Sequence, residues 1–173
     1  MKTISAGKIS YLAMLAGTGI VFSYVEALIP VNFGIPGIKL GLANIAALMT
    51  MYLISFSGAL IVQAIRIIIT GFLFGNMYGI IYSLAGGLTS LAVMIIVKKT
   101  DKFGVTGVSI CGGVVHNLAQ LAVAMLIINQ LRLSYYGPVL IISGVIMGLL
   151  IGIISIPILK VLKHMFDSGK IIL

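Results

Sequence analysis

Long, uninterrupted apolar segments are the feature that most restricts how this chain can fold. The sequence is 61% hydrophobic and only 8% charged, and its mean hydropathy is +1.26. A water-soluble domain carries charge on about a quarter of its residues, so this composition excludes a soluble globule. The runs are continuous and do not alternate between polar and apolar residues, which favours helices over a β-barrel. We therefore predict an all-α integral membrane protein that forms one domain.

Polar breaks divide this apolar sequence into six segments, each long enough to cross a membrane, since a spanning helix needs about 20 apolar residues. The predicted spans are 9–29, 40–56, 58–75, 77–97, 107–128 and 138–162. Only the stretch from Ser55 to Gly58 separates the second span from the third, and the fourth begins near Asn76. The first segment is too long for a signal peptide and lacks a small-residue cleavage site, so we expect it to be retained.

The distribution of basic residues predicts the orientation of the bundle. Six spans place eight lysines on the side of the two termini, whereas the opposite side holds only Lys39 and Arg132. The eight are Lys2, Lys8, Lys98, Lys99, Lys102, Lys160, Lys163 and Lys170. Because Lys and Arg collect on the cytoplasmic side of membrane proteins, both termini are predicted to be cytoplasmic. The net charge of +8 follows from this topology, so membrane lipid and not nucleic acid is the expected neighbour.

Polar side chains within the predicted spans are the candidate functional residues, because a charge in lipid costs on the order of a few kcal/mol unless it is paired or hydrated. They gather near the midplane and in the outer half, whereas the inner half carries only hydroxyl groups. A channel or a proton relay would need polar groups throughout. The asymmetry instead predicts a polar hollow that opens outward and captures a small molecule. The candidate substrate-binding residues are Glu26, Lys39, Asn44, Arg66, Tyr82, Ser83, His116, Asn117 and Gln120.

Two cations and one acid in this set leave positive charge uncompensated. The fork of Arg66, together with Lys39, suits a carboxylate or phosphate group on the substrate. Structural alternatives are open for three of the residues. Glu26 can be the counter-ion of either cation, Lys39 can be an interfacial anchor whose amine reaches the headgroups, and His116 can be a hydrogen-bonded packing residue.

Small residues at four-residue spacing mark faces along which membrane helices pack closely. One such row contains Gly144, Gly148 and Gly152 in the last span. The first span has more small positions than one neighbouring helix needs. We therefore expect one of its faces to dock another protein.

Five parts of the sequence are similar to those of a known family. They are Glu26-Ala-Leu-Ile-Pro30, Lys39-Leu-Gly-Leu-Ala-Asn44-Ile, Arg66, Ser83-Leu-Ala-Gly-Gly87 and Gly113-Val-Val-His-Asn-Leu-Ala-Gln120. In these strings the chain resembles the Gx transporter family, also labelled heptaprenyl diphosphate synthase component I. That family in turn resembles the substrate-binding S components of energy-coupling factor (ECF) transporters.

The resemblance implies a six-helix bundle in the plasma membrane of a bacterium, which binds a vitamin or similar micronutrient at its outer end. It further implies a transmembrane coupling subunit and two cytoplasmic ATPase subunits as partners, and a toppling movement that releases the substrate inside. S components dock the coupling subunit through an Ala-x-x-x-Ala pattern in the first helix, and the closest match here is Ala13 with Gly17. The loop 30–37, with two Pro and two Gly, is the corresponding outer lid.

Catalysis is not expected, and neither a cofactor nor a metal is predicted. The chain has no P-loop motif, and its three acids include no adjacent pair of aspartates, whereas prenyl diphosphate synthases hold magnesium with several carboxylates. The one cysteine excludes a multi-cysteine cluster, and His116 and His164 lie too far apart to bracket one haem. Two alternatives to an importer stay open: an accessory membrane protein of isoprenoid or quinone metabolism, and a membrane subunit of a redox complex.

Overall fold

The computed structural model describes residues 6–28 and 41–168. Within these ranges the chain is helical and contains no strand. The helices are α1 (Ala6–Leu28), α2 (Asn44–Leu53), α3 (Phe56–Phe74), α4 (Met77–Lys99), α5 (Val105–Ile128) and α6 (Gly137–Asp167), with a 3₁₀ helix (Leu131–Tyr136) before α6. Helices α1, α3, α4 and α5 and the segment Leu131–Met165 are long and apolar enough to cross a membrane. The prediction of an all-α, multi-pass membrane fold is confirmed.

The second predicted span is the one that differs from the structure. In place of a helix over 40–56, α2 has ten residues, which is a length of about 15 Å and half the thickness of the hydrocarbon layer. Gly41, just before it, has a φ of +72°, a left-handed conformation that interrupts a helix. Seven α2 residues, 45–51, are buried, because α2 lies inside the bundle against α1, α3 and α6. Hydropathy could not reveal this, since a helix enclosed by protein is as apolar as one in lipid.

Side-chain caps define the two shortest connections between helices. Ser55 accepts a hydrogen bond from the Gly58 amide at 3.0 Å, and Asn76 accepts one from the Gly79 amide at 2.8 Å. Such N-caps satisfy amide groups that have no partner within the helix. They separate α2 from α3 and α3 from α4 at the two breaks that the sequence indicates.

Neighbouring helices alternate in direction, so the starts of α1, α3 and α5 and the ends of α4 and α6 lie at one end of the bundle. This arrangement follows from contacts such as Leu12 beside Gly58 and Ile80 beside Gly71. We call this end the lysine-rich end, because all the lysines in the described ranges lie there. They are Lys8, Lys98, Lys99, Lys102, Lys160 and Lys163. The asymmetry supports the predicted orientation, which stays a prediction.

Apolar packing fills the bundle near the lysine-rich end. Val62, Leu91 and Val108, from three different helices, are each at most 1% exposed. The ammonium group of Lys98 donates to the Met51 carbonyl oxygen at 2.9 Å and lies 4.1 Å from the centre of the Tyr52 ring. Lys98 therefore fixes the end of α2 to the end of α4, so α2 is held in place at the lysine-rich end.

The contact between α5 and α6 is made by glycine backbones. A Cβ atom added to Gly148 would lie 2.6 Å from the Ile110 Cα, and one added to Gly152 would lie 2.6 Å from the Thr106 Cα. The small-residue row predicted in the last span is therefore an interface within the protein. Helix α1 differs, since a Cβ atom at Gly17 would have nothing within 4 Å.

Candidate functional site

Arg66 of α3 is the charged residue around which the candidate site is organised. It is 8% exposed, and its aliphatic stem lies against α1 where Gly19 leaves room: a Cβ atom there would approach the Arg66 Cδ to 2.9 Å. Its Nη1 donates to the Ser23 Oγ at 3.2 Å and its Nη2 to the Asn44 Oδ1 at 3.3 Å. Its Nε is buried and has no hydrogen-bond partner among the residues that the structure describes. A buried donor without an acceptor is energetically unfavourable. The Arg66 Nε can therefore donate one further hydrogen bond to a ligand.

Glu26 lies on the same side of α1 as Ser23, less than one helical turn further along. Its Oε1 accepts a hydrogen bond from the Gly41 amide at 2.5 Å, and its carboxylate attracts the Arg66 guanidinium electrostatically. The contact with Gly41 ties the end of α1 to the turn that precedes α2. Glu26 therefore acts on the site both as a counter-charge to Arg66 and as a structural contact.

A second polar layer supports Arg66 on the side of the lysine-rich end. Gln63, one turn earlier in α3, is 1% exposed, and its Nε2 donates to the Asn44 Oδ1 at 3.4 Å. Gly87 of α4 leaves space for this amide, since a Cβ atom there would lie 2.5 Å from the Gln63 Nε2. Asn44 thus accepts hydrogen bonds from two α3 side chains at once, which fixes the start of α2 beside Arg66.

Five of the nine predicted binding residues line one cavity of about 310 Å³, which we call the arginine cavity. Helices α1 to α5 all contribute to its wall. The five are Glu26, Asn44, Arg66, Ser83 and His116. Residues far apart in the sequence are therefore brought together, as a binding site requires.

Three other predicted residues line a neighbouring cavity of about 530 Å³ between α4, α5 and the start of α6. Tyr82, Gln120 and Asn117 contribute to it together with Tyr78 and Tyr136, so we call it the tyrosine cavity. The sequence predicted one shared hollow, whereas the structure has two adjacent cavities.

Asn117 also has a structural role that the sequence did not indicate. Its Nδ2 donates to the Leu140 carbonyl oxygen at 2.9 Å and to the Ser143 Oγ at 3.0 Å. Both acceptors belong to α6. These bonds tie α5 to α6, and they occupy the donor group that a ligand would otherwise use.

Three other sequence predictions concern residues that line neither cavity as the structure describes them. Lys39 and the loop 30–37 lie outside the described residues. Ala13 is exposed on α1, and the neighbouring Gly17 has open space beside it, as the proposed docking face needs. Buried polar residues between the Gln63 layer and the lysine-rich end, within the described helices, carry only hydroxyl groups: Thr50, Ser90, Ser109 and Ser155.

Two polar residues in the wall of the arginine cavity were missing from the predicted set. Ser23 accepts from Arg66, and Thr70 lines the arginine cavity one turn beyond Arg66. Both are hydroxyl residues, which are ordinary in membrane helices and therefore give a weak signal. Their spacing from Glu26 and Arg66, three and four residues, places them on the same helical faces and could have identified them.

The chemistry available in the arginine cavity is recognition of an anion. A guanidinium group offers donors in a fixed planar arrangement that matches carboxylate and phosphate oxygens. Among the described residues, no group of three or more His, Cys, Asp or Glu side chains could hold a metal ion. The walls therefore provide polar contacts for binding around one fixed positive charge.

The family model described as heptaprenyl diphosphate synthase component I matches this chain over residues 15–157. A comparison with curated proteins finds no match. The matched range contains every residue that lines either cavity, from Ser23 to Leu140. The chain therefore belongs to the heptaprenyl diphosphate synthase component I family.

Proposed function

We propose that this protein is the substrate-binding component of an ECF-type importer and that it captures a small anionic solute from outside the cell. The observation that carries the proposal is the buried guanidinium of Arg66, which lines a cavity of about 310 Å³ and whose Nε finds no acceptor in the described part of the chain. A cation in such a place needs compensation. Glu26 supplies part of it, and an anionic substrate would provide the acceptor for Nε.

The charges around the cavity favour an anion over a cation. Arg66 donates to two neutral acceptors, Ser23 and Asn44, and the nearby acid, Glu26, already accepts from a backbone amide. Helices α2 and α4 both begin at the cavity wall, where Asn44 and Gly79 contribute to the lining. Helices α1 and α3 end at the same wall, near Ala27 and Gly75, so the helix dipoles oppose one another and the preference for an anion rests on Arg66.

The one-sided position of the cavity supports import over conduction. Apolar side chains such as Leu48 and Leu91, each 1% exposed, fill the bundle on the side of the lysine-rich end. A bound solute cannot pass this packing without a rearrangement of the helices. Partner subunits that hydrolyse ATP would provide the energy. The exposed α1 face at Ala13 and Gly17 is available for docking the transmembrane coupling subunit.

The family description favours a second candidate, an accessory role beside a prenyl diphosphate synthase. With only three acids in the chain, such a role would be to bind or present a precursor and not to perform catalysis. Co-purification tests this candidate: an accessory subunit would bring down the catalytic synthase and raise its turnover. An importer subunit would instead bring down the coupling subunit and the ATPases, and would support ATP-dependent accumulation of solute in reconstituted vesicles.

The experiment that tests anion capture is mass spectrometry of the small molecules retained by the protein after purification into lipid nanodiscs. We expect the unmodified protein to retain an anionic solute and the Arg66→Gln variant to lose it. Arg132→Gln is the matched control, because Arg132 is exposed in the 3₁₀ helix outside both cavities. Equal retention by the unmodified protein and Arg66→Gln would refute the proposal.

A further inference from the structure

The two cavities adjoin each other at the first turn of α4. Gly79 contributes to the wall of both. Neighbouring residues then face opposite ways: Ser83 and His116 line the arginine cavity, whereas Tyr82 and Asn117 line the tyrosine cavity. A ligand large enough to reach beyond Arg66 therefore meets the second cavity directly across Gly79.

The partition at Gly79 is thin. Of the atoms that the structure describes, a Cβ atom added there would have only the Asn76 Oδ1 within 4 Å, at 3.4 Å. This contrasts with Gly86 and Gly87 further along the helix, where a Cβ atom would collide with Gln120 at 2.8 Å and with Gln63 at 2.5 Å. Those two glycines let helices touch. Gly79 instead leaves open space where the cavities meet.

The tyrosine cavity differs from the arginine cavity in chemical character. Its wall, as far as the structure describes it, contains no charged side chain. Leu121, Ala124 and Leu140 supply apolar surface, and three tyrosines supply rings with polar tips. Pockets of this kind bind aromatic or aliphatic groups and orient them through a few polar contacts.

We infer that the substrate is an amphipathic anion, whose charged group binds Arg66 and whose apolar or aromatic body passes Gly79 into the tyrosine cavity. This inference rests on the proposed function and adds the chemical class of the substrate to it. A small inorganic anion would leave the larger cavity, about 530 Å³, without an occupant. A body the size of one or two fused rings would bury its apolar surface there.

The test is a binding titration of probe anions to the purified protein in lipid nanodiscs. The probes are inorganic phosphate, phenyl phosphate and 1-naphthyl phosphate, with acetate and 1-naphthoate as the carboxylate pair and 1-naphthol as the uncharged control. We expect 1-naphthyl phosphate, or 1-naphthoate in the carboxylate pair, to bind at least about tenfold more tightly than the corresponding small anion. 1-Naphthol should bind more weakly than either naphthyl anion.

Two variants, one in α4 and one in α5, reduce the space available to the naphthyl group and test where that group binds. Gly79→Leu closes the junction, and Ala124→Leu fills the tyrosine cavity from α5. Each should remove the advantage of the naphthyl group. Ala124→Leu, whose residue does not line the arginine cavity, should also leave the affinity for the small anion within about threefold of the unmodified value. Gly104→Leu is the matched control, because a Cβ atom there would meet nothing within 4 Å and the residue precedes α5 at the lysine-rich end.

Distinct results separate this inference from the proposed function. The two-cavity substrate is overturned if 1-naphthyl phosphate binds no more tightly than inorganic phosphate, or if its tighter binding survives both Gly79→Leu and Ala124→Leu. Anion capture stands in either case. Equal binding of 1-naphthol and 1-naphthyl phosphate also overturns it, because the tyrosine cavity would then be an independent apolar site. Small-anion binding that Arg66→Gln leaves unchanged contradicts the proposed function itself, and binding of none of the probes contradicts both.

Discussion

The arginine cavity and the contact between α5 and α6 both contain glycines and an asparagine. They differ in how completely their polar side chains are hydrogen-bonded. In the α5–α6 contact, glycine backbones touch, and the Asn117 amide donates to two acceptors on α6. Beside the arginine cavity, the Arg66 Nε and the Gln63 Oε1 are buried and have no hydrogen-bond partner within residues 6–28 and 41–168. Polar residues in a membrane helix are therefore structural where their hydrogen bonds are complete. They are candidates for ligand binding where donors or acceptors are left over beside a cavity.

The largest effect on folding is expected from a substitution in the α5–α6 contact. Gly148→Val should lower the free energy of unfolding by at least about 1 to 3 kcal/mol, because its Cβ atom would lie 2.6 Å from the Ile110 Cα and 2.7 Å from the Ser109 carbonyl oxygen. Backbone atoms cannot turn aside as side chains can. Thermal unfolding in detergent, followed by size-exclusion chromatography, measures the loss. Gly17→Val is the control with open space around it, and equal destabilisation of the two variants would contradict the account.

The largest effect on binding is expected at Arg66. Arg66→Gln should weaken the affinity for the retained solute by about 100-fold, since hydrogen bonds to a charged group contribute about 1.5 to 3 kcal/mol each. Arg66→Lys should give an intermediate loss, because an ammonium group keeps the charge and lacks the planar fork. Isothermal titration measures both. The melting temperature should fall only slightly in Arg66→Gln, because the loss of the hydrogen bonds to Ser23 and Asn44 is offset by removal of a buried charge from the ligand-free protein; a large fall would identify Arg66 as a folding residue instead.

The two asparagines provide a more direct comparison of the two regions. Asn44→Ala should lower solute affinity by about tenfold, because Arg66 and Gln63 lose the acceptor that positions them. Asn117→Ala should change the affinity less and lower the stability more, by about 0.5 to 1.5 kcal/mol. Paired titration and thermal-unfolding measurements on both variants test this. The opposite order of effects would contradict a binding role for Asn44 and a structural role for Asn117.

The smallest effect is expected on the exposed face of α1. Ala13→Leu should leave solute affinity within about twofold and reduce co-purification of the coupling subunit severalfold, because close helix packing in a membrane needs small residues. Ala13→Ser keeps the side chain small and should assemble normally. Unchanged assembly of Ala13→Leu would move the docking surface away from this face.

Five membrane-crossing helices were predictable from the sequence, because continuous apolar length is what a bilayer requires of a helix. The short helix α2 was not, since its burial by protein gives the same hydropathy as contact with lipid. Arg66, Asn44 and Glu26 were predictable as site residues, because charged and amide groups in an apolar environment need a reason to be there. The division into two cavities was not predictable, because it depends on the backbone at Gly79 and on which acceptors Asn117 reaches in α6.

Cysteine accessibility tests most directly whether the arginine cavity opens to the outside and is closed toward the lysine-rich end. In a Cys111→Ser background, single cysteines would replace Ser83, which lines the cavity, and Ser90, which lies two turns further along α4 and is 3% exposed. Labelling of intact cells with a membrane-impermeant, anionic methanethiosulfonate should modify Ser83→Cys rapidly and leave Ser90→Cys unmodified. Equal rates at the two positions, or no reaction at Ser83→Cys, would contradict a water-accessible binding cavity with an apolar floor.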